Sequence, residues 1–122
     1  MARLILAILI VLAAFGYYVL YPNYKRAKIG AMQTGCCGNL QNIGTALDKY
    51  AMQHNGRYPD MLSRLTPVYL KAIPQCPAAK KITYEYIHSS KPEVYTVYCQ
   101  GDFHPSSRRD YPQYSSVHGF VF

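Results

Sequence analysis

The sequence predicts an α+β chain: one long N-terminal helix and a small antiparallel β-sheet packed on the helix's C-terminal half. Three observations predict it. From Leu4 to Tyr21 the chain reads "LILAILIVLAAFGYYVLY", with no charged side chain. From Cys36 to His54 apolar residues recur at three- and four-residue steps. From Ile82 to Cys99 two tyrosine-rich, β-branched runs alternate with period two.

The apolar run reaches the threshold for a transmembrane helix, which needs roughly 20 residues. A cleaved secretory signal has a shorter apolar core, about 7–15 residues, and ends on small residues. Here Tyr17, Tyr18 and Tyr21 close the run, and such aromatics suit a membrane–water interface. A retained anchor is therefore expected. Its orientation raises a conflict. Lys25, Arg26 and Lys28 follow the run while only Arg3 and the amino terminus precede it, which places the soluble part in the cytoplasm. Cys36, Cys37, Cys76 and Cys99 instead suggest disulfides in an oxidising compartment. A basic leader removed ahead of Met1 reconciles the two.

The amphipathic helix is predicted over 29–54. Cys36, Leu40, Ile43, Leu47, Tyr50 and His54 form its apolar stripe, and Asn55-Gly56 ends it. Gly35, Gly38 and Gly44 lie inside it; each costs roughly 1 kcal/mol against alanine, so close approach of a neighbouring element is expected. Residues 3–54 together make one helix of roughly 75 Å, with a break expected near Gly16 and Pro22, where proline removes a backbone hydrogen bond. The domains are thus 1–28, apolar helix and junction, and 29–122, a globular head.

Within the head, a loop over 55–81 carries Pro59, Pro67, Pro74 and Pro77, with Asp60 expected to cap a short helix, "DMLSRL". A hairpin over 82–99 pairs "ITYEYIH" with "EVYTVYC" through "SSKP". The segment 100–122 is mostly loop, and its end, "VHGFVF", is a candidate edge strand.

In such a hairpin the start of the first strand lies opposite the end of the second. A Cys76–Cys99 disulfide is therefore expected, with Cys36–Cys99 as its rival and no partner assigned to Cys37. Zinc takes four convergent ligands, commonly at short spacings, and neither "CC" nor the isolated "CP" and "YC" supplies them. Disulfides are expected over a metal. His54, His88, His104 and His118 are scattered and are expected at the surface or at helix ends. No phosphate loop, catalytic triad order or paired acids occur, so neither an enzyme nor a cofactor is expected. The net charge of +7 favours anionic partners; Lys80, Lys81, Lys91, Arg108 and Arg109 are the candidates for contacting DNA or another polyanion. Thirteen tyrosines without a tryptophan suit packing of a small sheet and a subunit interface better than base stacking.

"YPNYKRAK" (21–28), "CCGNLQNIGTALDKYAMQHNGRYP" (36–59), "YLKAIPQCPA" and "YTVYCQG" together resemble the type IV pilin and type II secretion pseudopilin superfamily. The resemblance implies a ladle-like fold, with the sheet on the second half of the long helix. It also implies that a prepilin peptidase removes a basic leader and that the new amino group, here on Met1, is methylated. Counting back from Pro22 by the family's junction spacing reaches Met1. Subunits of the family wait in the inner membrane. The pilus or secretion assembly machinery then draws them into a helical homopolymer, extracellular or periplasmic. Its core would here be packed from Leu4, Ile5, Ala7, Ile8, Val11, Leu12, Ala14 and Phe15. The family usually carries a glutamate early in this helix; the matching residue is Ile5, and no acid precedes Asp48. The alternatives are a pilin-like polyanion-binding module and an anchored periplasmic protein that never polymerises.

Overall fold

The computed structural model describes residues 1–121. Helix α1 spans Ala2–Gln53, a 3-10 turn spans Leu62–Leu65, and four strands follow: β1 (Tyr84–Ser90), β2 (Glu93–Cys99), β3 (Gln113–Ser115) and β4 (Gly119–Val121). The strands form one antiparallel meander in the order β1-β2-β3-β4. The α+β layout expected from the sequence is present. The chain divides into two units, Met1–Ala31 and Met32–Phe122, with α1 contributing to both.

The expected break at Gly16 and Pro22 does not occur, because α1 runs through both residues without interruption. Proline removes a single rung of the hydrogen-bond ladder. The residues on either side keep their own rungs, and propagation of an existing helix is favourable residue by residue. α1 stops where the sequence says it should. Asn55 and Gly56 both have positive φ (57° and 78°), and the Gly56 N–H donates to the Ala51 carbonyl at 2.8 Å. This bond closes the helix in the manner of a Schellman motif.

The apolar stripe builds the head's core. Cys36, Leu40, Ile43 and Leu47 are fully buried. Tyr50 is half-buried and His54 is exposed, its ring stacked on Tyr50 at 3.8 Å and its Nδ1 2.8 Å from the Tyr50 carbonyl oxygen. The buried stripe thus ends a turn earlier than its periodicity, while Gly44, Ala46 and Ala51 widen it. Facing it, β2 alternates as period two requires: Tyr95, Val97 and Cys99 are buried. Gly44 is where helix and sheet approach closest. A Cβ there would overlap the Tyr114 ring, and the Tyr95 hydroxyl donates to the Gly44 carbonyl at 3.3 Å.

Three local expectations are corrected. β1 continues to Ser90, so the hairpin connection is Lys91-Pro92 rather than "SSKP", in register from Tyr84↔Cys99 to Ser90↔Glu93. The short helix after Asp60 is a 3-10 turn with no side-chain cap; Asp60 instead lies 3.9 Å from Arg64 on the exposed surface. The C-terminal segment supplies two strands. β3 pairs with β2 at Val97↔Tyr114, and β4, the outer edge, pairs with β3 at Tyr114↔Phe120. Phe122 of "VHGFVF" lies outside the described residues.

Candidate functional site

Four segments of the head converge on one buried spot between α1 and the end of β2. Cys36 is the first residue of the helical stripe, Cys99 is the last residue of β2, and Cys76 heads a tight loop. That loop is closed by the Cys76↔Lys81 bridge: the Cys76 N–H donates to the Lys81 carbonyl at 2.9 Å and the Lys80 N–H to the Cys76 carbonyl at 2.8 Å. His104 arrives from the segment after β2. Gly101, at φ 111°, turns this segment, which is pinned back on itself by Gly101 N–H to Asp110 Oδ1 at 2.7 Å and Asp110 N–H to the Gly101 carbonyl at 2.8 Å. Gln33 of α1 holds the same loop, donating from Nε2 to Ser107 Oγ at 2.7 Å and accepting from the Ser106 hydroxyl.

The three sulfurs and the imidazole nitrogen all lie within 4.8 Å of one another. His104 Nε2 is 3.4 Å from Cys76 Sγ and 3.6 Å from Cys99 Sγ. All four residues are at least nine-tenths buried: 0% exposed for Cys36 and Cys76, 1% for Cys99 and 3% for His104. Around them stands a ring of polar partners. Thr83 Oγ1 is 3.1 Å from Cys99 Sγ, and the Tyr84 hydroxyl donates to Cys36 Sγ at 3.5 Å. Asn39 Nδ2 in turn donates to the Tyr84 hydroxyl oxygen at 3.0 Å, fixing its orientation.

This surrounding favours thiolate character. The Cys99 thiol is pushed down, first by the hydrogen bond from Cys36, against burial, and then by Thr83, His104 and Cys76. The Cys36 thiol is pushed up, first by that same bond and then by burial. Burial also pushes up the Tyr84 phenol, keeping it a donor.

All four cysteines are free: the expected Cys76–Cys99 bridge is not formed, nor is the rival Cys36–Cys99. Members of both pairs instead meet in one cluster with His104. Two sequence expectations are corrected here. The ligand-type residues do converge, because chain folding rather than short spacing brings Cys36 and Cys76 to Cys99. His104 is no surface histidine. One local signal was present in the sequence: Cys99 and His104 are separated by "QGDF", a gap like those within known ligand pairs. Cys37 stands apart, half-buried, its thiol raised by burial.

The five polyanion candidates do not form one surface. All are exposed. Lys81 and Arg109 line a shared shallow pocket with Glu85 and Asp110, and Lys81 Nζ sits 5.4 Å from the Phe103 ring centre. Lys91 lies in the hairpin connection, at the far end of the β1–β2 ladder from Cys99. In Met1–Ala31, Leu4, Ile5, Ala7, Ile8, Val11, Leu12, Ala14 and Phe15 are all exposed, and Gly16 is half-buried. α1 contains a stretch long and apolar enough to cross a membrane, none of it covered by the rest of the chain. Comparison with known proteins finds no matching family model, no matching curated protein and no matching solved structure.

Proposed function

We propose that the chain is a structural subunit of a helical filament of the type IV pilus or pseudopilus kind, held in the inner membrane before assembly. One observation carries this reading. The uncovered apolar stretch belongs to the same uninterrupted helix whose later turns form the head's core. Exposed apolar surface on this scale calls for lipid or protein around it. A single helix that is both anchor and core element gives the head a handle by which copies can be bundled.

The mechanism is exchange of lipid for identical helices. That exchange has little hydrophobic driving force, so close packing and small residues decide it. Ala7, Ala13, Ala14 and Gly16 supply the small positions, and the junction residues "YPNYKRAK" supply the resemblance to pilins. The absence of an acid at Ile5 requires the amino terminus to find another acceptor in the assembly.

The test is imaging of material sheared from the cell surface, or released from the periplasm, with an antibody against the head. Filaments bearing the label are expected; monomers and dimers alone would replace this reading with a non-polymerising anchored protein. Pro22→Ala restores the missing rung of α1 and is expected to alter filament rise or stiffness. Unchanged filaments by cryo-microscopy would count against a role for Pro22 in assembly.

A further inference from the structure

We infer that Cys36, Cys76, Cys99 and His104 form a structural zinc site that fastens α1 to the sheet. Geometry is the first ground. Zn–S bonds of about 2.3 Å and Zn–N bonds of about 2.0–2.1 Å give tetrahedral edges of about 3.8 Å between sulfurs and about 3.6 Å between sulfur and nitrogen. Two of the three sulfur–nitrogen separations here are 3.4 Å and 3.6 Å. The widest separation in the cluster, 4.8 Å at most, closes with a side-chain shift of about 1 Å.

The second ground is the ligand set. Three thiolates and one imidazole select a tetrahedral, borderline-soft ion, and four protein ligands leave no open position for substrate. Coordination takes all three sulfurs as thiolates, any protons they still carry leaving to solvent, and takes His104 neutral through Nε2. The third ground is the shell. Thr83 Oγ1 lies at hydrogen-bond distance from one sulfur, the Tyr84 hydroxyl donates to another, and Asn39 orients Tyr84. Donors aimed at sulfur are what metal-bound thiolates require, since a thiolate only accepts.

A disulfide accounts for less. Bridging Cys76 to Cys99 would use two of the four groups. It would leave the Cys36 thiol and the His104 ring in the core with their polar atoms aimed at an inert bond. Zinc employs all four at once, and its ligands come from α1, the Cys76 loop, β2 and the segment after it. It therefore ties four separate elements together, and metal binding becomes part of folding.

The test uses the full chain, purified in detergent micelles under anaerobic conditions, with metal content measured by mass spectrometry. One zinc per chain is expected, lost on strong chelation together with a downward shift of the head's melting midpoint. Replacement by Co2+ should give the intense visible bands of a tetrahedral, thiolate-rich site. Cys37→Ser should keep the full equivalent, whereas Cys76→Ser and His104→Ala should lose it. Should those two variants fail to fold, His104→Cys keeps four ligands and is expected to retain zinc with an altered cobalt spectrum.

Several results would overturn the site. One is wild-type protein that takes up neither zinc nor cobalt. Another is a disulfide joining any two of Cys36, Cys76 and Cys99 in protein isolated from its own cells. Loss of zinc in Cys37→Ser, or an unchanged cobalt spectrum in His104→Cys, would place the metal elsewhere. None of these readouts depends on filament assembly, so the zinc site and the filament reading fail separately.

Discussion

Met1–Ala31 and the unit beginning at Met32 use the same kind of helix in opposite ways. In the first, every residue but Gly16 is exposed, including Leu4, Leu9, Leu12 and Phe15. In the second, the helix buries Cys36, Leu40, Ile43 and Leu47 completely against tyrosines and valine of the sheet. One unit buries its apolar side chains within the chain, and the other leaves them exposed. Hydrophobic content alone does not reveal which is which. The polar pattern does, because Asn39, Gln41, Asn42, Asp48 and Lys49 confine the second stripe to one face, whereas Leu4 to Tyr21 holds no charged side chain.

The sharpest way to break this comparison is one substitution made twice. Leu40→Ala, at 0% exposure, should cost the head about 2–5 kcal/mol through lost burial and the cavity left behind. Leu12→Ala, at 60% exposure, should leave head stability within about 0.5 kcal/mol. Chemical denaturation followed by near-ultraviolet circular dichroism of the tyrosines distinguishes them. Equal losses at both sites would mean that the two units fold as one.

The converse experiment introduces a charge. Leu9→Asp lies within the uncovered apolar stretch, and an aspartate near the centre of a membrane helix costs about 2.5–3.5 kcal/mol to insert. The expected outcome is a shift of the chain from the membrane fraction to the soluble fraction, with the head's unfolding midpoint unchanged. Retention in the membrane fraction would show that the head, not the helix, carries the attachment.

Legibility in the sequence followed the range of the interaction. The stripe from Cys36 to Leu47 and the alternation in "EVYTVYC" were readable because each is a periodic signal within one element, and burial followed both. Pro22 breaks no helix here because the local rule for proline counts one lost rung and not the intact rungs around it that keep α1 continuous. β3 has only the three residues "QYS", too few for a period to show; pairing with β2 defines it. The cluster was the hardest. Cys99 and His104 share a local spacing, but Cys36 and Cys76 reach them only because α1 packs on β2 and the Cys76 loop folds back through Lys81. Aspartate at position 60 had the right chemistry for a cap and the wrong place, since the 3-10 turn begins at Leu62 and Met61 takes the capping position.

Glycines offer a smaller contrast between the units, with a reversal of sign. Nothing lies within 4 Å of a Cβ built on Gly30, in the first unit, so Gly30→Ala should gain up to about 1 kcal/mol of helix propensity. At Gly44 the same methyl meets the Tyr114 ring and the Tyr95 hydroxyl. Overpacking of this kind costs about 1–3 kcal/mol, which outweighs the propensity gain, so Gly44→Ala should destabilise the head by about 1 kcal/mol net. A neutral Gly44→Ala would mean that Tyr114, on the short strand β3, swings aside freely.

The smallest effect concerns the end of the sheet remote from the cluster. There His88 Nε2 lies 3.0 Å from Glu93 Oε2, and the Tyr58 N–H donates to the same oxygen at 3.4 Å. Hydrogen bonding from His88 comes first in holding the Glu93 carboxyl below its ordinary value, opposed by burial and helped by the Tyr58 N–H and the charge of Arg57. A carboxyl depressed in the folded state releases its proton more readily there than in the unfolded chain. Its contribution is therefore complete above the unfolded value of about 4.3 and is lost as pH falls through the lower folded value. Glu93→Gln should narrow the gap in stability from wild type as the pH drops below about 4.3. A gap that stays constant to acid pH would show that Glu93 supports the hairpin by packing on the Tyr58 loop and not by its charge. The first unit holds no acidic residue at all, so any acid dependence of the folded chain must arise in the head.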